Sequence, residues 1–216
     1  MNQTPPRKLL IVNPNANFEV TAWLAAEARR LIGASAEVIA VNADSGLPAI
    51  QTPEDLQRAS ESVVSAVLAC PGASGVLIAA FGDPGLRAAR AQSVLPIVGL
   101  GESGILAAAR RGRRFSILTM GVAMRAPISA KVAELGVGGQ WASLRFLPFG
   151  IAQFVADREA WRPVVAAAAR ACVENDGAEV VLLGGAPFAG LGRPLRLELG
   201  LEISDGVEAG IGRLGM

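Results

Sequence analysis

The sequence repeats itself. The segment GVLIAAFGDPGL (Gly75–Leu86) lies over VVLLGGAPFAGL (Val180–Leu191) at an offset of 105 residues, with Val76 on Val181, Gly85 on Gly190 and Leu86 on Leu191. Three further segments align in the same order at an offset of 106. Ile11 falls on Ile117, Val38 on Leu144, and LPIVGLGESGI (Leu95–Ile105) on LEISDGVEAGI (Leu201–Ile211). One match among apolar runs carries little weight. Four in order at nearly one offset define a duplicated unit, and that constrains the fold more than any other feature of the chain.

Each copy alternates short apolar runs with Ala-rich helical spacing. In the first copy, Leu9–Val12, Ala36–Val41, Gly75–Ala80 and Leu95–Val98 read as strands, with helices over Thr21–Leu31 and Pro53–Ala69. Thr52 is placed to cap the second helix, with Pro53 at its first position and Glu54 and Asp55 in its first turn. In the second copy the strands are Phe115–Leu118, Ser143–Leu147, Glu179–Leu183 and Leu201–Ser204, with a helix over Glu159–Glu174. Strands alternating with helices imply crossover connections and parallel sheets. The expected fold is α/β: two pseudo-symmetric doubly wound lobes, each built on a four-stranded parallel sheet. The lobes are expected at 1–104 and 105–204, with a C-terminal helix over about 205–216 packing on the first. Ligands of such sheets bind outside the carboxyl ends of the strands, so the site is expected in the cleft between the lobes.

Composition narrows the function. Hydrophobic residues make up 51% of the chain and charged residues 18%, enough apolar side chain for a sizeable core. The formal net charge is +1, no basic block occurs and aromatics are only 5%, which argues against a nucleic-acid surface. No apolar run is long enough for a signal peptide or a membrane span. A cytoplasmic protein that takes a small molecule and forms a homo-oligomer is the expectation. There is no His and no Tyr, so imidazole and phenol chemistry are excluded. The two cysteines, Cys70 and Cys172, are no disulfide framework and fall at the helix ends preceding the third strands, away from the cleft, where they read as packing residues. No P-loop occurs, and no metal or cofactor is expected.

The strand-end loops supply the candidate site. Ala80, Phe81 and Gly82 in the first copy, and Gly185, Ala186 and Pro187 in the second, are small-residue loops that enter helices. Free N–H groups there make a cradle for a carboxylate or a developing oxyanion; alternatively the glycines serve only a tight turn. Asn13 and Asn15 follow the first strand and either orient a substrate or close an Asx turn, with Asn13 the stronger ligand candidate. Thr119 is their counterpart in the second copy. Asp83 is the one acid in the paired loops and reads as a general acid or base, or as a helix cap. Glu102 and Asp205 read as supports that bind backbone N–H groups.

Together IVNPN, AAFGDPGL, VVLLGGAPFAGL and SDGVEAG resemble the Asp/Glu/hydantoin racemase superfamily, most closely its hydantoin and allantoin racemase branch. The resemblance covers nearly the whole chain. It implies a two-lobed, cofactor-independent enzyme acting on a small carboxylate or cyclic amide through an oxyanion-stabilised intermediate. In that family two cysteines face each other across the substrate, one removing the α-proton and the other returning it. The hydantoin-racemase-like motifs would read ACFDDPG and LGCAG. Here the cysteine positions are Ala80 and Gly185, and a methyl group and a hydrogen atom carry no protons. Arylmalonate decarboxylase, another branch, keeps one of the two. What the resemblance leaves open is a racemase, a lyase or hydrolase on the same scaffold, or a non-catalytic binder of small acids.

Overall fold

The computed structural model describes residues 7–216; residues 1–6, assigned above to the first lobe, lie outside the described residues. In the first lobe the chain runs β1 (Arg7–Asn13), α1 (Phe18–Ile32), β2 (Ala36–Asn42), α2 (Pro53–Leu68), β3 (Gly75–Ile78), α3 (Leu86–Gln92), β4 (Ile97–Gly99) and α4 (Leu100–Ala108). The second continues with β5 (Phe115–Thr119), α5 (Arg125–Glu134), β6 (Trp141–Phe146), α6 (Ile151–Ala156), α7 (Arg158–Glu174), β7 (Val180–Gly184), α8 (Gly192–Leu199), β8 (Ile203–Asp205) and α9 (Gly206–Leu214). Thr52 caps α2 as expected: its side chain accepts from the Asp55 N–H, and Asp55 answers with the Thr52 N–H.

Both sheets are four-stranded and parallel, ordered β2-β1-β3-β4 and β6-β5-β7-β8. The duplication extends to the register of the central pair, with Ile11 beside Leu77 in one sheet and Ile117 beside Leu182 in the other; the edge pairs differ, with Ile11 beside Ala40 but Ile117 beside Leu144. Alternation along each strand then builds three cores. Leu9 and Ile11 of β1, Leu77 of β3, Ile117 of β5 and Leu182 of β7 face one shared core between the sheets. Leu10, Val12, Val76 and Ile78 face outward under α2 and α3. Leu118, Val181 and Leu183 do the same under α7 and α8.

The lobes also exchange helices. A methyl group on Gly104 of α4 would lie 2.9 Å from Leu182 of β7, and one on Gly210 of α9 would lie 2.7 Å from Leu77 of β3. These are repeat-equivalent contacts, so each lobe's last helix seats on the other lobe's sheet. The C-terminal helix therefore packs on the first lobe, where Leu214 and Met216 also close over Gly75. A boundary between 104 and 105 falls inside α4. At the axis between the two helices a side chain on Gly206 would collide with Leu100, at 2.4 Å. No helix of the described residues is long and apolar enough to cross a membrane.

Candidate functional site

In each sheet the chain winds in opposite directions from the central pair of strands. A crevice must open where the loops after those strands diverge. The two crevices face each other and form one cavity. From the first lobe it is lined by Asn15 and Asn17 after β1, Pro48 and Ile50 after β2, and Ala79–Gly82 after β3. From the second it is lined by Thr119 and Met120 after β5, Met124 and Ile128 before and on α5, Ile151 of α6, and Gly184–Pro187 after β7.

Ala80 and Gly185, the two positions where the resemblance requires thiols, both line this cavity. Gly185 has φ +151°, where an L side chain is strained. The N–H groups of Ala80, Phe81, Gly82, Gly185 and Ala186 have no acceptor among the described residues. Asn15 accepts from the Asn17 N–H at 2.9 Å and Asn17 from the Val20 N–H at 3.0 Å, through their side-chain oxygens. The amide NH2 groups of both are left without a protein acceptor among the described residues. Thr119 donates its hydroxyl to the Gly184 carbonyl, which ties β5 to β7 at the cavity floor and leaves Thr119 only as an acceptor. The cavity is thus rich in neutral donors, and its remaining wall is apolar. No carboxylate, thiol or amine side chain lines it among the described residues.

Three sequence expectations need correction. Asn13 is fully buried and does not face the cavity; its NH2 donates to Thr21 Oγ1 at 2.9 Å and to the Asn17 carbonyl at 3.2 Å. The Asx-type reading holds for it, because those bonds fix the loop that presents Asn15 and Asn17. Asp83 does not line the cavity either. Its side chain is 0% exposed, and its two oxygens accept from the Gly101 and Glu102 N–H groups at 2.7 and 2.8 Å and from Lys131 Nζ at 2.7 Å. Burial pushes this carboxyl up from its ordinary value against the pull of Lys131 and the two amides. With three hydrogen bonds accepted it caps α4, two elements further along the chain than the helix that follows its loop. Among the described residues Glu102 binds no backbone N–H with its carboxylate; it pairs with Arg90 and, at 3.7 Å, with Arg213.

Asp205 binds backbone N–H groups. Its carboxylate accepts from the Val207 and Glu208 N–H groups at 3.0 and 3.1 Å, capping α9, and from the Gly190 N–H at 3.2 Å, which steadies the loop beyond Pro187. Burial pushes its carboxyl up, against the backbone hydrogen bonds. Cys172 is buried in the outer core of the second lobe, where burial pushes its thiol up to about 11, and neither it nor Cys70 lines the cavity. Sequence reasoning missed Asn17, Pro48, Ile50, Met124, Ile128 and Ile151. Pro48 and Ile50 sit beyond the strand-end window, and Met124 and Ile128 enter only because α5 folds back over the cleft. The N-cap spacing of Asn17 ahead of α1 was a usable signal for that residue.

Two doubly wound lobes with exchanged terminal helices, closing their strand-end loops on one donor-lined cleft, define a two-lobed α/β class. The family model described as Asp/Glu/Hydantoin racemase matches residues 9–214, and the chain belongs to that family. It is 30% identical over 206 residues to the hydantoin racemase of Pseudomonas sp. (strain NS671), covering 94% of this chain and 83% of that one. It is 29% identical over 205 residues to the hydantoin racemase of Paenarthrobacter aurescens, covering 94% and 87%. The solved allantoin racemase from Klebsiella pneumoniae superposes with a TM-score of 0.92 at 26% identity, covering 97% of this chain and 86% of that one.

Proposed function

We propose that the cleft binds a small cyclic amide or carboxylate of the hydantoin type and holds it without two-base racemisation. One observation carries this reading: both thiol positions line the cavity as Ala80 and Gly185, and no other lining side chain among the described residues can take up a proton. The remaining groups suit binding. Carbonyl or carboxylate oxygens accept from the N–H groups around Ala80–Gly82 and Gly185–Ala186 and from the Asn15 and Asn17 amides. The ring substituent lies against Met120, Met124, Ile128 and Ile151. Neutral donors aimed at an acceptor orient a ligand and polarise its carbonyl, but an α-proton leaves only if a base receives it. We also propose a cytoplasmic homo-oligomer; sedimentation analysis checks the assembly and cell fractionation the compartment.

A second reading is favoured by the survival of the donor cradle on both sides. Such a cradle stabilises an enolate however it forms, including by loss of a carboxylate as CO2 with later protonation by water. The test is incubation in deuterated water with 5-substituted hydantoins, allantoin and substituted malonates, followed by NMR and calorimetry. The binding reading expects heat of association with hydantoins and no α-proton exchange above the buffer rate. Enzymatic exchange by the wild type would overturn it, and CO2 release would select the second reading. In the Ala80→Cys variant, where the backbone accepts a side chain, one-sided exchange is expected to appear.

A further inference from the structure

We propose that Asp83 and Lys131 form an inter-lobe latch, a positioning pair that sets the width of the cleft and so the residence time of its ligand; this rests on the ligand-binding reading above. Asp83 comes from the first lobe and lies one residue beyond Gly82, the last cavity-lining residue of its loop. Lys131 comes from α5 of the second lobe, one turn beyond Ile128 and two beyond Met124, both cavity-lining. The pair therefore joins the first-lobe donor loop to the helix that roofs the apolar end of the site. Opening the cleft along this edge must separate Nζ from Oδ2, now at 2.7 Å, with side-chain exposures of 18% and 0%.

The site is built around that carboxylate. Asp83 is the one non-glycine residue with positive φ among the described residues, at +52°. A side chain on Gly99 would lie 2.3 Å from its Cγ, and one on Gly101 would lie 1.9 Å from the Phe81 carbonyl and 3.1 Å from Asp83 Oδ2. The chain thus keeps two glycines where the carboxylate must sit. The α4 cap alone accounts for two of its bonds; the third crosses the lobes, and capping does not require it. Separating the charges leaves a buried carboxylate without its cation, which is costly. The pair thus favours the closed cleft.

The test compares wild type with Lys131→Met, Lys131→Arg and the double variant Asp83→Asn/Lys131→Met. Melting temperature, 5-benzylhydantoin affinity and dissociation rate, and backbone hydrogen exchange are read for each. Lys131→Met loses stability and about tenfold in affinity, mostly as faster dissociation. Lys131→Arg stays within about threefold of wild type. The double variant, having no orphan charge, regains most of the melting temperature but not the affinity. Affinity returning together with stability would mean that the pair is structural only, and the latch would be wrong. If 5-benzylhydantoin does not bind wild type, the binding reading fails for that probe, and hydrogen exchange still decides the latch. Faster exchange in α5 of the double variant, with α7 unchanged, supports it; unchanged exchange in α5 overturns it.

Discussion

The N-terminus of α4 in the first lobe and that of α9 in the second present the same demand and meet it by different routes. Each exchanged helix begins with two buried N–H groups at repeat-equivalent positions, Gly101 and Glu102 in one, Val207 and Glu208 in the other. Each pair donates to a single carboxylate. In the second lobe that carboxylate is Asp205, the residue directly before the helix. In the first lobe the equivalent position is Gly99, and the carboxylate arrives from Asp83 in another loop. The repeat equivalent of Asp83 is Phe188, an apolar side chain that is fully buried. A helix start needs negative charge and an acceptor, and it does not matter which covalent route delivers them. The route does matter for what else the carboxylate reaches. Asp83 meets Lys131 across the cleft, whereas beside Gly190, whose N–H Asp205 accepts, the first lobe places the like-charged Glu27, 3.2 Å from where a methyl on Gly190 would lie. One edge of the cleft is held by opposite charges. The other has Arg158 stacked 4.5 Å over Trp23.

The sharpest way to break this comparison is to give the first lobe the second lobe's solution without removing its own. Gly99→Asp puts two carboxylates in one space, and a loss of more than about 4 kcal/mol in chemical denaturation is expected. Gly99→Asp with Asp83→Gly should recover much of that loss, since the cap is restored by the other route. Asp205→Ala leaves three N–H groups without their acceptor and should cost about 3 kcal/mol. A cost under about 1 kcal/mol would mean that the α9 cap is not equivalent to the α4 cap.

Cys172 tests the outer core of the second lobe. Its folded thiol lies at about 11, above the ordinary value of 9.0. A raised folded value contributes stability that is complete below pH 9 and is lost as pH rises toward 11. The difference is roughly 2–3 kcal/mol, and it should vanish from the pH slope of Cys172→Ala. In the native protein half-buried Cys70 should react with a thiol reagent well before Cys172. The helix exchange predicts near-equal costs, about 1–2 kcal/mol, for Gly104→Ala and Gly210→Ala, because each added methyl meets the flexible tip of a leucine. The smallest effect is expected for the exposed pair of Arg162 and Glu198 at 2.7 Å: Arg162→Ala should change stability by less than about 1 kcal/mol.

The fold was readable because duplication leaves a mark at every level. Apolar runs at nearly one offset become strands in one order, and Gly104 and Gly210, aligned in the sequence, make equivalent contacts in space. The place of the paired loops Ala80–Gly82 and Gly185–Pro187 on the cavity was readable for the same reason. Reading failed where the symmetry is broken. Nothing in the spacing around Asp83 says that its carboxylate reaches 18 residues ahead to Gly101, a contact that exists only once β3 and β4 pair. Asn13 misled because a strand-end amide looks the same whether it points at a ligand or, as here, at Thr21 and Asn17. Met124 and Ile128 were invisible because their place depends on the angle at which α5 crosses the cleft.

The central claim is that one cleft, lined by donors from both lobes and holding no base, is where a ligand resides. A crystal structure grown with 5-benzylhydantoin tests it most directly. The expected result is a ring between Ala80 and Gly185 with its carbonyl oxygens on N–H groups of both loops and its benzyl group against Met124 and Ile128. A ring bound by one lobe alone, or within reach of a carboxylate or thiol, would contradict it.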